Sequence, residues 1–474
     1  MLLSTQDPNS HSKTNHLYKF IIEGIRKNTE KNYKNTDIKI KVFKNLKILS
    51  ISYVFFLIYI IFSGKIFSNN RAKIKFRNTE VGRFVVAQTF QNFKTYLSLF
   101  QFYKVLLKNF VKAGIMINTA DYFYSNENIK AIYIDHCGGL NGILYSYFSS
   151  KNIIIYTNMY PANIYGVDFR YKKKLNLINF EDSIKINKKF ILNKQQKKKT
   201  KNLLKKLFVK PNYLEWMSQT KYKKRNEAIN YDQFDYVVYA HSFTDDQLCY
   251  GFDGFENTLD WLNFTLNKLD NLGKKVLIKA HPNFYSTSLG ILSTWDKKIF
   301  SKNKKQFLYK KNFYFIDKPI FNYDLLKHVN KSAILISHHG TVLLEGAQLG
   351  FKSICSKATM FNEKFKVSNY WSDKTEYERL LSQKYENLKL PNKDDLEFLV
   401  YKMFASDHSY SGKYFWQNVI AKEIGIKSMI EWNKKIEIFG NSRDIDKRIR
   451  FFKKLVKGKE SIIAKKISKN IELL

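Results

Sequence analysis

The chain has 474 residues, 44% hydrophobic and 16% aromatic, with a formal net charge of +40. Such a length exceeds one hydrophobic core and calls for two domains, and a charge of this sign points to nucleic acid, an anionic membrane or an acidic substrate. The basic residues are mostly Lys and are spread along the whole chain, and there is no zinc-finger spacing, RNP-type aromatic motif or basic region joined to heptads, so a specific nucleic-acid partner is not expected.

Residues 1–45 are polar and rich in Lys and Asn, and the opening MLLSTQDPNSHSKTNH lacks the apolar core of a signal peptide. Cys137, Cys249 and Cys355 are scattered thiols whose spacing fits neither a metal site nor a disulfide framework. Both features place the protein in the cytoplasm. The most apolar run is 48–62, ILSISYVFFLIYIIF, within an uncharged span of 17 residues at the lower edge of what crosses a bilayer. It reads as a helix lying on a membrane or under the domain, as a spanning helix, or as a buried core helix. Lys47 and Lys65 flank it on both sides and fix no orientation. Residues 1–70 are thus a basic extension carrying an apolar helix, suited to contact with the anionic inner face of the cytoplasmic membrane.

From Lys73 the pattern alternates short strands with helices, which argues for an α/β fold with parallel sheet and helices on both faces. KIKF reads as a strand, 93–113 as a helix, IMINTA (115–120) and AIYIDH (131–136) as strands, GILYSYFSS as a helix and NIIIYTN as a strand. The Lys- and Asn-rich run 172–224 reads as a partly helical, solvated connection. A second series occupies 226–415: DYVVYAH, KKVLIKAHP and FYFID as strands, FENTLDWLNFTLNKL as an amphipathic helix, 321–329 as a helix, then AILIS, a tight loop, a helix over 341–349 and a further strand. Residues 416–474 are read as further helix and a basic tail.

Ligands of open parallel sheets bind outside the carboxyl ends of strands. Four polar clusters fall at such ends: Asp135 and His136 after AIYI, His241 after YVVYA, Lys279 and His281 after VLI, and Ser337 to Thr341 after AILI. His281 precedes Pro282, which stops the strand, and an imidazole there can donate to a phosphate oxygen. His338 and His339 adjoin in the loop, Gly340 lets a ligand approach the backbone, and Thr341 is placed to N-cap the next helix, a phosphate-binding end. Glu345 lies one turn on, where it stabilises the helix start or accepts from ribose hydroxyls. No carboxylate or thiol sits at a spacing that would complete a metal site with the paired histidines, so neither metal nor cofactor is expected. Alone, each of these features is an ordinary strand terminator or βαβ crossover; their recurrence at one sheet edge is the signal.

HSFTDDQLCYGFDGFENTLDWLNFTL, VLIKAHPN and ISHHGTVLLEGAQLGFKSIC, in that order, resemble the bacterial capsule and surface-polysaccharide biosynthesis proteins. These are similar to the Kdo transferases of capsule export and, more remotely, to bacterial sialyltransferases and CDP-glycerol polyol-phosphate transferases. The likeness covers about 236–360, with an echo at YIDHCGGLNGIL. It implies a GT-B glycosyltransferase, two Rossmann-like domains facing a cleft, with 71–225 on the acceptor side and 226–415 holding the nucleotide-sugar. His281 matches the family's His-Pro histidine, implied to contact the donor phosphate. Ser337, Gly340, Thr341 and Glu345 match the serine, Gly-Thr and glutamate of its nucleotide-binding loop and helix. The His-His pair before Gly340 departs from that pattern. The base is assigned to Asp135, with His136 as substitute. The expected partners are a nucleotide-sugar donor, CMP-linked by family preference, and a glycan or glycolipid acceptor. A CDP-glycerol-type transferase and a non-catalytic basic scaffold on membrane or nucleic acid are the alternatives.

Overall fold

A computed structural model of the chain describes residues 48–159, 166–170, 192–209, 222–285, 291–359 and 365–401, save positions 128, 130, 135–137, 152, 246–247 and 249–250. Asp135 and His136, the proposed base and its substitute, lie outside the described residues, as do Cys137, Cys249 and the region 416–474.

The first half is led by α1 (Ile51–Phe62), capped by the Ser50 hydroxyl. At 12 residues, about 18 Å, α1 is too short to cross a bilayer, and no helix among the described residues is long and apolar enough to do so. Its Tyr53 is fully buried and donates to the Phe110 carbonyl at 3.0 Å. A two-stranded ribbon, β1 (Lys75–Phe76) and β2 (Thr79–Glu80), leads into α2 (Gly82–Phe90) and the 28-residue α3 (Leu99–Asn126). IMINTA, read as a strand, belongs to α3. The reason is packing: Phe102, Leu106, Phe110, Ala113, Ile117 and Ala120 are all buried at helical spacing, so one face continues through the run. Beyond come β3 (Ala131–Ile134), α4 (Asn141–Ser150), β4 (Ile154–Met159) and β5 (Gly166–Arg170). They form a three-stranded sheet with β3 and β4 parallel and β5 antiparallel. The connection 172–224 holds one described helix, α5 (Lys194–Leu207), opened by an Asn193–Gln196 capping box.

The second half is a parallel sheet. Its strands are β6 (Tyr236–Tyr239), β7 (Val276–Lys279), β8 (Phe313–Ile316), β9 (Ile334–Ser337), β10 (Ser353–Ser356) and β11 (Asn369–Trp371). They lie in the order β11-β10-β9-β6-β7-β8 with every pairing parallel. The crossovers carry α6 (Thr258–Asn271), α7 (Ile291–Phe307), α8 (Asn322–Leu326) and α9 (Val342–Gln348), and α10 (Lys374–Ser382) and α11 (Lys393–Val400) come after the last strand. β6, β7 and β9 are buried at every position, as strands covered on both faces must be. This is the doubly wound order, and its direction reverses between β6 and β9. The α/β class read from the alternation holds; α7, β5 and β11 lack a clear signal in the sequence.

The two halves meet through Arg71, just before β1, and through the turn between α2 and α3. Arg71 pairs with Glu256 through both carboxylate oxygens, one bond being 2.9 Å, and also donates to the Tyr103 hydroxyl. The Tyr96 hydroxyl donates to the Phe243 carbonyl, and Phe93 stacks on Trp295 with centroids 3.6 Å apart.

Candidate functional site

Parallel strands end together, so the residues just past β6, β7 and β9 are brought to one edge. Tyr239 is in register with both Lys279 and Ser337. The next residues bring His241, His281, His338 and His339 together across the point where the strand order reverses. The His241 and His339 rings lie 3.9 Å apart between centroids, and those of His241 and His281 5.5 Å. Four histidines are therefore assembled from three strand ends. Among the described residues no group of three or more His, Cys, Asp or Glu side chains is placed to hold a metal ion.

The loop behind β6 is fixed by Asp296 of α7. Its carboxylate accepts from the Ser242 hydroxyl at 2.5 Å, the Phe243 and Thr244 N–H groups at 3.0 Å each and the Thr244 hydroxyl at 2.9 Å. His241 donates through Nδ1 to the Ser242 carbonyl at 3.2 Å, which sets its ring from the same clamp. Burial lowers the affinity of His281 for a proton well below that of an ordinary imidazole, and the charges of His241 and Lys279 add to the effect. His281 is thus neutral at the edge.

His338 points the other way, into the domain. Its Nε2 lies 2.7 Å from Asp253 Oδ2 and its Nδ1 2.7 Å from His339 Nδ1. Trp261 and Trp371 pack edge-on against its ring, at 5.4 and 5.9 Å between centroids. Asp253 is buried and also accepts from the Ser356 hydroxyl at 2.6 Å and the Phe255 N–H at 3.2 Å. Burial by itself would raise its carboxyl, but the interaction with His338, together with the hydrogen bonds from Ser356 and Phe255, holds it below the usual carboxylate range. The turn depends on Gly254: its φ is +95°, and a Cβ there would lie 2.6 Å from the Lys374 nitrogen. The carboxylate that spacing alone did not reveal beside the paired histidines is therefore delivered by tertiary structure.

Lys279 is buried, and burial pulls its ammonium down to about 8 against the opposing charge of Glu345. Glu345, on α9, is itself buried, and its charge also acts on Tyr239 and Tyr222. Ser337 is buried with its hydroxyl beside Gly340: a Cβ on Gly340 would lie 3.4 Å from it. Gly340 and Thr341 are half-buried at the loop's edge. Thr341 does not cap α9 with its side chain. It is already in the helical region, and its carbonyl accepts from Leu344 at 2.9 Å and Glu345 at 3.2 Å, so its hydroxyl makes no capping bond.

His241, Lys279, His281, Ser337, His338, Gly340, Thr341 and Glu345 thus share one sheet edge. Asp253, His339 and Asp296 belong with them, although the sequence does not assign them to the site. His339 is visible in the motif, whereas Asp253 reads in sequence as an Asp-Gly turn and Asp296 as one charge in a helix.

No family model matches the chain, and no curated protein matches it. Two solved structures are similar to it. One is the KpsC beta Kdo 2,4 transferase of Thermosulfurimonas dismutans, at 13% identity and a TM-score of 0.35, over 58% of this chain and 79% of that one. The other is the UDP-GlcNAc 2-epimerase of Methanocaldococcus jannaschii, in complex with UDP-GlcNAc and UDP, at 14% identity and a TM-score of 0.28, over 62% and 81%. Both likenesses are low, and the function is read from the side chains at the sheet edge.

Proposed function

We propose that the chain is a glycosyltransferase. It would move a sugar from a nucleotide-activated donor, CMP-linked by preference, to a surface polysaccharide or glycolipid, without a metal ion or cofactor. The observation that carries this reading is the cluster of His241, His281 and His339 across the β6/β9 reversal, the place where doubly wound sheets take nucleotides. Residues 226–415 would hold the donor and 71–225 the acceptor, in a GT-B-like pair. His281, Lys279 and the Gly340–Thr341 loop would face the departing phosphate, with imidazole N–H and ammonium groups offsetting its charge. Glu345 would serve as ribose acceptor or as counter-charge to Lys279. Asp135 or His136 would supply the acceptor-side base.

A thermal-shift screen of the whole chain against CMP, CDP, UDP and GDP tests the reading, because a ligand bound only by the folded state raises the melting temperature. At a hundredfold excess over Kd the gain is about 2.7 kcal/mol, a shift of a few degrees. No shift with any of the four would sink the proposal. A CDP-only shift accompanied by glycerol-phosphate transfer would favour the polyol-phosphate alternative. Retention on nucleic acid or vesicles that collapses with salt, without any nucleotide response, would favour the basic scaffold.

An acceptor carried by lipid would place the enzyme at a membrane surface, and α1 supports that placement. Ile51, Phe55, Ile58 and Phe62 form an exposed stripe on the helix, Ile51 at 76% and Phe62 at 87% exposure, with exposed Lys65 just beyond. Such a helix lies in the headgroup region of anionic lipid. In flotation with phosphatidylglycerol vesicles the chain should rise with the lipid, and Ile58→Glu with Phe62→Glu should leave it at the bottom; flotation of that double variant would refute the contact.

A further inference from the structure

The proton positions in the buried chain Ser356–Asp253–His338–His339 are set by its hydrogen bonds. Asp253, an ionised carboxylate, only accepts, so the Nε2 of His338 carries a proton. When His338 is neutral its Nδ1 is then an acceptor, and the 2.7 Å bond to His339 requires the proton on His339 Nδ1. That leaves His339 Nε2 as a proton-accepting nitrogen. His339 is itself held neutral, its affinity for a proton lowered chiefly by burial. The ring stands 3.9 Å, between centroids, from His241, at the sheet edge where the donor is proposed to lie. The groups around the chain are His241 from the loop after β6, His281 and Lys279 from β7 and its end, and Asp253 from the turn before α6. The rings of Trp261 and Trp371 pack edge-on against His338.

We propose that Asp253, His338 and His339 form a proton relay whose outer imidazole takes the acceptor hydroxyl proton. The assignment rests on the glycosyltransferase reading and makes His339 a candidate base on the donor side. In the step, the acceptor oxygen bonds to the anomeric carbon while the bond from that carbon to the donor phosphate oxygen breaks. The nucleotide leaves with the electron pair, and the hydroxyl proton passes to His339 Nε2. The proton on His339 Nδ1 moves to His338 Nδ1, and the resulting imidazolium is held by the Asp253 carboxylate. The Ser356 hydroxyl and Phe255 N–H fix that carboxylate. Asp253 and His338 are positioning residues; His339 touches the substrate.

Two measurements decide it. The first is histidine 15N NMR of the full chain at pH 7.5, which reads the tautomers without any substrate. His338 should carry its proton on Nε2 and His339 on Nδ1, and Asp253→Asn should abolish that pattern. A His339 protonated on Nε2 in the unaltered chain overturns the relay. The second is consumption of CMP-, CDP-, UDP- and GDP-linked sugars by the unaltered chain and by His339→Gln and His338→Gln. Each variant, shown to be folded by its melt, should lose about 10²–10⁴-fold in turnover at saturating donor, the usual contribution of a general base. Turnover within threefold of the unaltered chain in His339→Gln overturns the role. If the unaltered chain consumes none of these donors, the glycosyltransferase reading falls and the catalytic role with it, while the NMR result still decides the proton arrangement. Should Asp253→Asn fail to fold, the tautomers of the unaltered chain and the two glutamine variants carry the test.

Discussion

His281→Ala should lower transfer by about 10²–10³-fold in kcat while leaving the chain folded. The magnitude is that of removing one preorganised donor aimed at developing charge. The direction comes from position: His281 stands just beyond β7 beside Pro282, its ring 5.5 Å from that of His241, at the edge where a leaving phosphate is proposed to lie. Burial, then the charges of His241 and Lys279, keep the ring neutral, so in the free protein it offers one N–H and carries no charge of its own. The ring packs on Phe284 at 6.0 Å, and this half-buried contact is small enough that its loss leaves the melting temperature within a few degrees. Consumption of the donor that responds in the thermal-shift screen, measured with the melt of the same preparation, separates the outcomes. Near-normal turnover from a folded variant would remove His281 from the chemistry. A collapsed melt would instead mark it as a structural residue.

β6, β7, β8 and β9 were legible because each is a four-residue, largely apolar run, as in YVVY before Ala240 and His241 or ILIS before the histidine pair. Their common direction comes from the helices between them, and common direction is enough to bring His241, His281 and His339 to one edge. The first half was less legible, since a short apolar run such as IMINTA fits strand and helix alike, and only the buried face of α3 decides between them. Site residues split along the same line. Those in line with a strand end could be read from the chain itself. Asp253 could not, because its meeting with His338 depends on a glycine turn and on the β10 residue Ser356, a long-range contact that spacing does not encode. Thr341 failed as a cap for a local reason: it is already in the first helical turn, where a hydroxyl has no capping geometry.

Asp296→Ala should cost about 3 kcal/mol of stability or more, because it removes the acceptor from buried donors and leaves each with its desolvation penalty. Those donors are the Ser242 and Thr244 hydroxyls and the Phe243 and Thr244 N–H groups, all within 3.0 Å of the carboxylate. The expected loss also has a pH dependence of definite sign. Burial raises the Asp296 carboxyl above its ordinary value, and the hydrogen bonds only partly oppose this. The folded chain therefore holds that proton more readily than the unfolded one, whose carboxyl titrates near about 3.9. Its contribution is complete below the unfolded value and is lost as pH rises through the folded one. The deficit of the alanine variant in urea melts should accordingly widen as pH falls from 7 toward 4. A deficit that narrows over that range would contradict the raised carboxyl. Since the same carboxylate fixes the loop carrying His241, the variant should also weaken nucleotide binding under conditions where it is still folded. A site assembled from strand ends is only as well placed as the loops beyond them, and here one helix-borne carboxylate holds the loop between β6 and the histidine cluster.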